Sequence, residues 1–168
     1  ANLAYTRQGS LPDIGSVLSE KYSTGVIEEL SADHNAVRIT DSKLSVNVFA
    51  VSVRVTESAQ TLANSIAIQD STFVGDHSFE IAAVKMLGSE TGALTTQQSS
   101  VVISNVKLDG SSSYSIAADE LQSAISVSSS DAGVILDNFQ SDANAAGHIY
   151  ASNLQGRHNA EVLNGTLT

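Results

Sequence analysis

The chain has 168 residues, of which 8 are Lys or Arg and 18 are Asp or Glu, so its formal net charge is −10. This acidic balance excludes nucleic acid and anionic membrane surfaces as main partners, because both are bound through Lys and Arg. The hydrophobic fraction is 42%, whereas aromatic residues make up only 5% and Cys is absent. A core must therefore be built from small aliphatic side chains, without disulfides or thiolate metal sites.

The start of the sequence and its apolar runs bear on location. No run approaches the roughly 20 apolar residues that cross a bilayer, so no membrane insertion is expected. The sequence begins at Ala1 and not at Met, as in a mature chain whose signal peptide has been removed. We expect a secreted protein, either extracellular or on the cell surface.

Residues 1–34 differ from the rest and are interpreted as an N-terminal cap or extension. After Pro12 the apolar residues recur with a spacing of about 3.6, which predicts a short helix over residues 13–22. From Asn35 onward the period changes to about 2, which predicts strands. In the segment 45–55, strict alternation places Val48 and Ala50 on one face, with Phe49 and Val51 on the other.

A recurring phrase organises residues 35–168: two aliphatic residues at alternate positions, followed two residues later by Asp or Asn. Four clear copies and two weaker ones end at Asp41, Asp70, Asn105 and Asn138, and at Asn153 and Asn164. The clear copies are spaced almost evenly, from position 41 to 70, from 70 to 105 and from 105 to 138. A repeat of about 32 residues is the length of one coil of a β-solenoid.

The predicted fold class is all-β, a parallel β-helix or β-solenoid with a short N-terminal helical cap. An antiparallel β-sandwich is the alternative, because short strands at regular spacing are typical of that fold too. A polar residue at one fixed phase favours the solenoid, since equivalent turn residues stack on the next coil as a ladder. The six Asp and Asn residues are the predicted turn ladder, with Ile39, Ile68, Ile103 and Leu136 buried at equivalent phases.

Two segments of the repeat resemble coils of right-handed parallel β-helix proteins. They are Ile66-Ala67-Ile68-Gln69-Asp70-Ser71-Thr72-Phe73 and Val101-Val102-Ile103-Ser104-Asn105-Val106-Lys107-Leu108. That broad family includes polysaccharide lyases, phage tailspikes, adhesins and passenger domains, so the resemblance implies a fold and a usual habitat but no single activity. The opening residues 2–9 also resemble the repeat of curli-type fibre subunits, although the Gly comes one residue early and the phrase does not recur.

Candidate chemistry is sparse. Glu28-Glu29 and Asp119-Glu120 are adjacent acidic pairs, but neighbours on a strand point apart, so both are interpreted as solvated surface and not as catalytic dyads. No nucleophile elbow or glycine-rich phosphate loop is present. We expect no enzymatic activity and no cofactor.

The four histidines each precede a strand at a polar junction, where a solenoid would allow them to stack along one edge. They are His34, His77, His148 and His158. Imidazole is the commonest metal ligand, but no H-x-H or H-x-x-x-H spacing supports a preformed site. No bound metal is expected, and ordinary turn positions are the alternative interpretation.

The predicted function is that of a structural subunit of an extracellular fibre or an adhesive surface appendage. Residues 160–168 remain strand-like, so Val162, Leu163 and Leu167 form a predicted assembly edge for a second copy, giving a homo-oligomer or filament. Two alternatives stay open. One is a module that binds or degrades extracellular polysaccharide, and the other is a pilus-like subunit held by donor-strand exchange through residues 2–9 or 162–168.

Overall fold

The computed structural model describes residues 2–6, 16–18, 29–45, 47–55, 58–76, 78–88, 93–110, 113–123, 125–141, 145–156 and 159–168. These residues form strands and no helix. In chain order, the strands are β1 (Asn2–Thr6), β2 (Ser16–Leu18), β3 (Glu29–Asp33), β4 (Ala36–Thr40), β5 (Lys43–Leu44), β6 (Asn47–Val55), β7 (Ser58–Leu62), β8 (Ser65–Val74), β9 (Ser78–Gly88), β10 (Ala93–Gln97), β11 (Ser100–Asp109), β12 (Ser113–Ser123), β13 (Ser126–Ser130), β14 (Gly133–Gln140), β15 (Ala146–Gly156), β16 (Asn159–Leu163) and β17 (Thr166–Leu167).

The strands stack in three parallel sheets, which the chain visits in a fixed order. Sheet A has the order β1-β4-β8-β11-β14-β17, with β5 also pairing β8; sheet B is β2-β6-β9-β12-β15, and sheet C is β3-β7-β10-β13-β16. Every pairing between described strands is parallel. The β-solenoid prediction is therefore confirmed, and the antiparallel sandwich is excluded.

Most of the predicted N-terminal helix lies outside the described residues. The part that is described, Ser16–Leu18, is strand β2, and it pairs in register with β6. Strands β1 and β3 likewise pair with β4 and β7.

The register defines columns of side chains, each column containing one residue from every coil. Along sheet A one such column contains Ala36, Ser65, Ser100 and Gly133, which are successive partners. Coils differ in length at the junctions between sheets. Leu44 pairs with Phe73 on sheet A and Val48 pairs with Ile81 on sheet B, so the short link from 44 to 48 becomes the longer link from 73 to 81 one coil later. Extra residues therefore lengthen a junction without disturbing a column.

The hydrophobic core has two parts. The larger part lies between sheet A and the first half of sheet B, and includes Phe73 and Phe79, whose rings meet edge to face with centroids 5.2 Å apart. Ile39, Ile68 and Ile103 share one column there and are buried, and Leu136 continues it half-buried in the next coil. The smaller part lies between the second half of sheet B and sheet C.

Sheet B changes its inward face in mid-strand. Ala50 belongs to the larger core and Val51 to the smaller one, and Ala83 and Val84 repeat this arrangement one coil later. Two successive residues thus point inward, which strict alternation does not allow. The expectation that Ala50 and Val51 lie on opposite faces is wrong, because the sheet bends between them and forms an elbow.

The two faces of β11 provide a direct test of the core. Ile103 is 0% exposed, whereas its neighbour Val102 is 38% exposed on the outer face. We expect Ile103→Ala to lower the free energy of unfolding by about 2 to 5 kcal/mol, the range for truncating a buried aliphatic side chain. The matched variant Val102→Ala is expected to change it by less than about 0.5 kcal/mol. Denaturant unfolding measures both, and equal losses would contradict the inward assignment of Ile103.

Candidate functional site

The clear copies of the recurring phrase place four polar residues in one column of sheet A. Asp41, Asp70, Asn105 and Asn138 all have left-handed backbone conformations, with φ between 48° and 52°. Asn and Asp adopt this conformation more readily than other residues with a side chain, which explains their presence at the bend. Asn105 Nδ2 donates to Asp70 Oδ1 at 2.9 Å, and Asn138 Nδ2 donates to Asn105 Oδ1 at 2.9 Å. The side chains thus link three coils.

The weaker copies lie elsewhere. Asn153 is in sheet B, in register with Glu120, because a single coil has three sheets in which similar phrases recur. Asn164 occupies a different left-handed corner, between sheets C and A, where its Nδ2 donates to Asp131 Oδ1 at 3.1 Å. Neither belongs to the column of Asp70, so the predicted six-residue ladder is divided among three places.

A cavity of about 320 Å³ adjoins the column of Asp70, Asn105 and Asn138. Thr72, Lys107 and Gln140 also line it, and Lys107 forms an ion pair of 3.2 Å with Asp109. Both partners of that ion pair are more than half exposed, so solvent screens it strongly. The cavity is open and polar and contains hydrogen-bonding groups of both kinds.

The predicted assembly edge is exposed on the last coil. Val162, Leu163 and Leu167 are 47%, 48% and 56% exposed. Gly147 has no side chain, and the ring of Tyr114 from the preceding coil fills that place; a β-carbon on Gly147 would lie 1.9 Å from it. At this position the last coil contributes no side chain to the core, whereas Ile149 and Leu154 of the same strand pack against it half-buried.

The elbow of sheet B holds a second group of polar residues, on its outer side. Ala82 and Ala117 belong to neither part of the core, yet they are almost completely buried. Outward-facing residues become buried where a sheet is concave on its outer side. The elbow thus forms a groove on the outer side of β9 and β12. Its floor is Ala82 and Ala117, and Phe49 and Tyr150 occupy the same position in the coils before and after.

Two glutamates and a lysine meet in this groove. Lys85 Nζ donates to Glu80 Oε1 and lies 3.8 Å from Glu120 Oε2, and it also lies 5.6 Å from the centroid of the Phe49 ring. Burial and the neighbouring Glu80 carboxylate raise the pKa of Glu120 to about 7. Burial acts in the same direction on Glu80, but hydrogen bonds with Glu120 and Lys85 outweigh it and lower the pKa of Glu80 below its usual value. Below about pH 7, Glu120 is therefore mostly protonated and donates to Glu80.

The acidic pair Asp119-Glu120 differs from what its sequence indicates. Solvated surface is wrong for Asp119, which is 0% exposed, and Glu120 is largely covered by the groove. Asp119 faces inward because it follows the elbow and is in register with the core residue Val84. The side chains of the other pair, Glu28-Glu29, lie outside what the structure describes.

The histidines do not form one file along an edge. His34 lies at the corner between sheets C and A, whereas His148 is in β15 of sheet B, stacked on Tyr150 with ring centroids 5.9 Å apart. His77 and His158 lie outside the described residues. Within the described ranges, no group of three or more His, Asp or Glu side chains is positioned to hold a metal ion.

Comparison with known proteins assigns no function to these groups of residues. Comparison with known protein families, with curated proteins and with solved structures finds no match. Among the residues that the structure describes, no helix has the length and apolar character needed to span a membrane.

The shared proton of the groove gives a pH-dependent stability. The pKa of Glu120 is about 7 in the folded protein against an ordinary 4.5, so the folded state binds this proton more tightly and loses stability as pH rises between those values. Glu120→Gln keeps the neutral form at every pH. We expect it to match the melting temperature of the unsubstituted protein at pH 5 and to exceed it at pH 8.

Glu161→Gln is the matched control, since it removes the same charge from an exposed position of β16. Scanning calorimetry of the three proteins at both pH values measures the effect. The same pH trend in both variants, or no gain from Glu120→Gln at pH 8, would contradict the shared proton.

Proposed function

We propose that this protein is a structural subunit of an extracellular fibre or surface appendage, and that it associates with further copies through its last coil. The observation that supports this most directly is the exposure of Val162, Leu163 and Leu167 on that coil. Exposed aliphatic residues clustered at one place typically mark an interaction site. The resemblance to β-helix proteins of the cell exterior supports the location.

The backbone supports the same proposal. Strands β15, β16 and β17 are the last strands of sheets B, C and A. An edge strand presents unpaired N–H and C=O groups to any other strand in reach, and a parallel coil of a second copy can satisfy them. An interface between two different ends of the subunit is not closed by symmetry, so it continues into a filament.

Charge sets the conditions for this association. Copies with a net charge of −10 repel one another, and salt screens that repulsion with a Debye length of about 8 Å at physiological ionic strength. Burial of aliphatic side chains is insensitive to this screening. Association is therefore favoured by moderate salt and by a pH closer to the isoelectric point of about 4.5.

A pair of substitutions tests the edge. We expect Val162→Lys combined with Leu163→Lys to leave the subunit folded and to abolish association, because two cations replace the apolar contact on an exposed coil. Val102→Lys is the control: it places a cation on a comparably exposed aliphatic residue of the side wall. Sedimentation and electron microscopy in moderate salt follow assembly, and circular dichroism follows folding. A doubly substituted protein that still assembles would refute the proposed edge.

The groove of sheet B favours a second candidate function, the binding of an extracellular saccharide chain. Titratable groups with displaced pKa values, gathered in a concave surface, are a common mark of a binding site. Lys85 and the carboxyl groups of Glu80 and Glu120 offer both hydrogen-bond donors and acceptors to hydroxyl groups.

Calorimetric titration with a neutral gluco-oligosaccharide tests this second function. We expect binding to the unsubstituted protein and its loss in Lys85→Ala, since that side chain lies at the centre of the groove. Lys43→Ala, which removes an exposed lysine of β5 in sheet A, is expected to leave binding unchanged. No heat of binding to the unsubstituted protein, or equal effects of the two variants, would refute this role of the groove.

A further inference from the structure

Asp119 is an ionisable residue in an otherwise apolar or neutral column. In sheet B it is in register with Val84 of the coil before it and with Ser152 of the last coil. It is 0% exposed, so its carboxyl group is removed from water on every side. An ionised carboxylate in such a place is unfavourable unless it is paired with a cation or fully hydrogen-bonded.

Hydroxyl groups from sheet C surround one of its two oxygens. Asp119 Oδ2 accepts hydrogen bonds from Thr96 Oγ1 at 2.7 Å and from Ser129 Oγ at 2.6 Å. Ser129 Oγ also lies 2.7 Å from Ser152 Oγ. Because Ser129 has one proton and donates it to Asp119, Ser152 must be the donor in the second bond. The network thus runs from Asp119 through β13 into the last coil.

The other carboxyl oxygen of Asp119 has no hydrogen-bond partner among the described residues. Asp119 Oδ1 and Ser99 Oγ are both buried, and neither makes a hydrogen bond within the described structure. Burial raises the pKa of Asp119, and the hydroxyl groups of Ser129, Ser99 and Thr96 oppose that effect without outweighing it. A proton on Oδ1 would give it a donor directed at Ser99 and would satisfy both atoms together.

Among the residues that the structure describes, no charged group favours the ionised form of Asp119. The neighbours that face Asp119 are Val84 from β9, Thr96 from β10, Ser129 from β13 and Ser152 from β15, and none of them titrates or carries a charge. The nearest charged groups along the strands, Glu120 and Lys85, meet each other in the outer groove of sheet B. Only neutral hydroxyl groups oppose the effect of burial, and the pKa of Asp119 remains raised.

We propose that Asp119 is protonated in the folded protein, donates from Oδ1 to Ser99 Oγ, and so makes the packing of the last coil dependent on pH. Loss of this proton to solvent leaves an unpaired charge in the core next to the last coil. Separation of that coil then admits water to the charge, so the coil becomes easier to detach. Since the last coil is the proposed assembly edge, this inference rests on the proposed function: association requires the protonated form.

Infrared spectroscopy of the dilute monomer tests the proton without reference to assembly. The measurement uses protein with Glu120→Gln, so that the outer groove contributes no protonated carboxyl group. We expect a carbonyl stretch of a protonated carboxylic acid at pH 7, absent after the further change Asp119→Asn and retained after Asp137→Asn, which alters an exposed carboxylate of β14. A spectrum without that band at pH 7, or a band unaffected by Asp119→Asn, would overturn the proposal.

Assembly measured across pH tests the consequence. In Asp119→Asn the amide oxygen accepts from Thr96 and Ser129 and the amide nitrogen donates to Ser99, which reproduces the protonated acid at all pH values. Both variants carry Glu120→Gln, so that the outer groove does not titrate in this range. Between pH 6 and pH 9 we expect association to weaken by about tenfold or more in the Asp137→Asn control and by less than about twofold in Asp119→Asn, one unit of pKa being worth tenfold.

Failure of the proposal for Asp119 can be distinguished from failure of the proposed function. Identical pH profiles in the two variants, with assembly intact, would overturn the role of Asp119 and leave the proposed function standing. Absence of assembly in every protein at every pH would refute the proposed function, and the infrared band would still decide whether Asp119 holds a proton.

Discussion

Parallel pairing in register between successive coils is the constraint on which the rest of this structure depends. The backbone groups of each strand bond to the coils before and after it, about 4.8 Å away, so every side chain lies beside the equivalent side chain of its neighbours. A favourable choice is repeated along the column, as with Ile39, Ile68 and Ile103. A side chain that is unfavourable in its column must be stabilised by residues of another sheet, as Thr96 and Ser129 of sheet C stabilise Asp119.

The features that the sequence predicted correctly are those encoded by one residue type at one position of a coil. The left-handed bend in sheet A has Asp or Asn in every clear copy of the phrase, and alternating aliphatic residues mark inward positions, so the repeat and its buried isoleucines were predictable. The left-handed corner between sheets C and A was not, because His34, Ala63 and Gln98 occupy it as well as Asp131 and Asn164. The elbow was not visible, because alternation alone cannot show that Ala50 and Val51 both face inward. The meeting of Glu80 with Glu120 depends on the register between β9 and β12, and the burial of Asp119 depends on hydroxyl groups that a different sheet supplies.

Two neighbouring residues of β12, one inside the solenoid and one on its outer side, both respond to pH. Asp119 points into the core and Glu120 into the outer groove, and burial raises the pKa of both carboxyl groups. Each group therefore favours the folded state at lower pH, and neither depends on the other for its proton. An acidic protein with small aliphatic side chains has only a modest margin of stability, so these two groups weigh heavily in its response to pH.

The junction between sheets A and B is longer in the coil of Phe73 than in the coil of Leu44, while Leu44 still pairs with Phe73 and Val48 with Ile81 on either side of it. The stacked sheets and the loops that join them are thus separable: the first specify the scaffold, and the second are free to diverge. Foreign peptides inserted after Asp76, in the bend that follows β8, should be displayed on the surface without altering the scaffold. In a filament of such subunits they would form a regular array along a single side, with the spacing of one subunit.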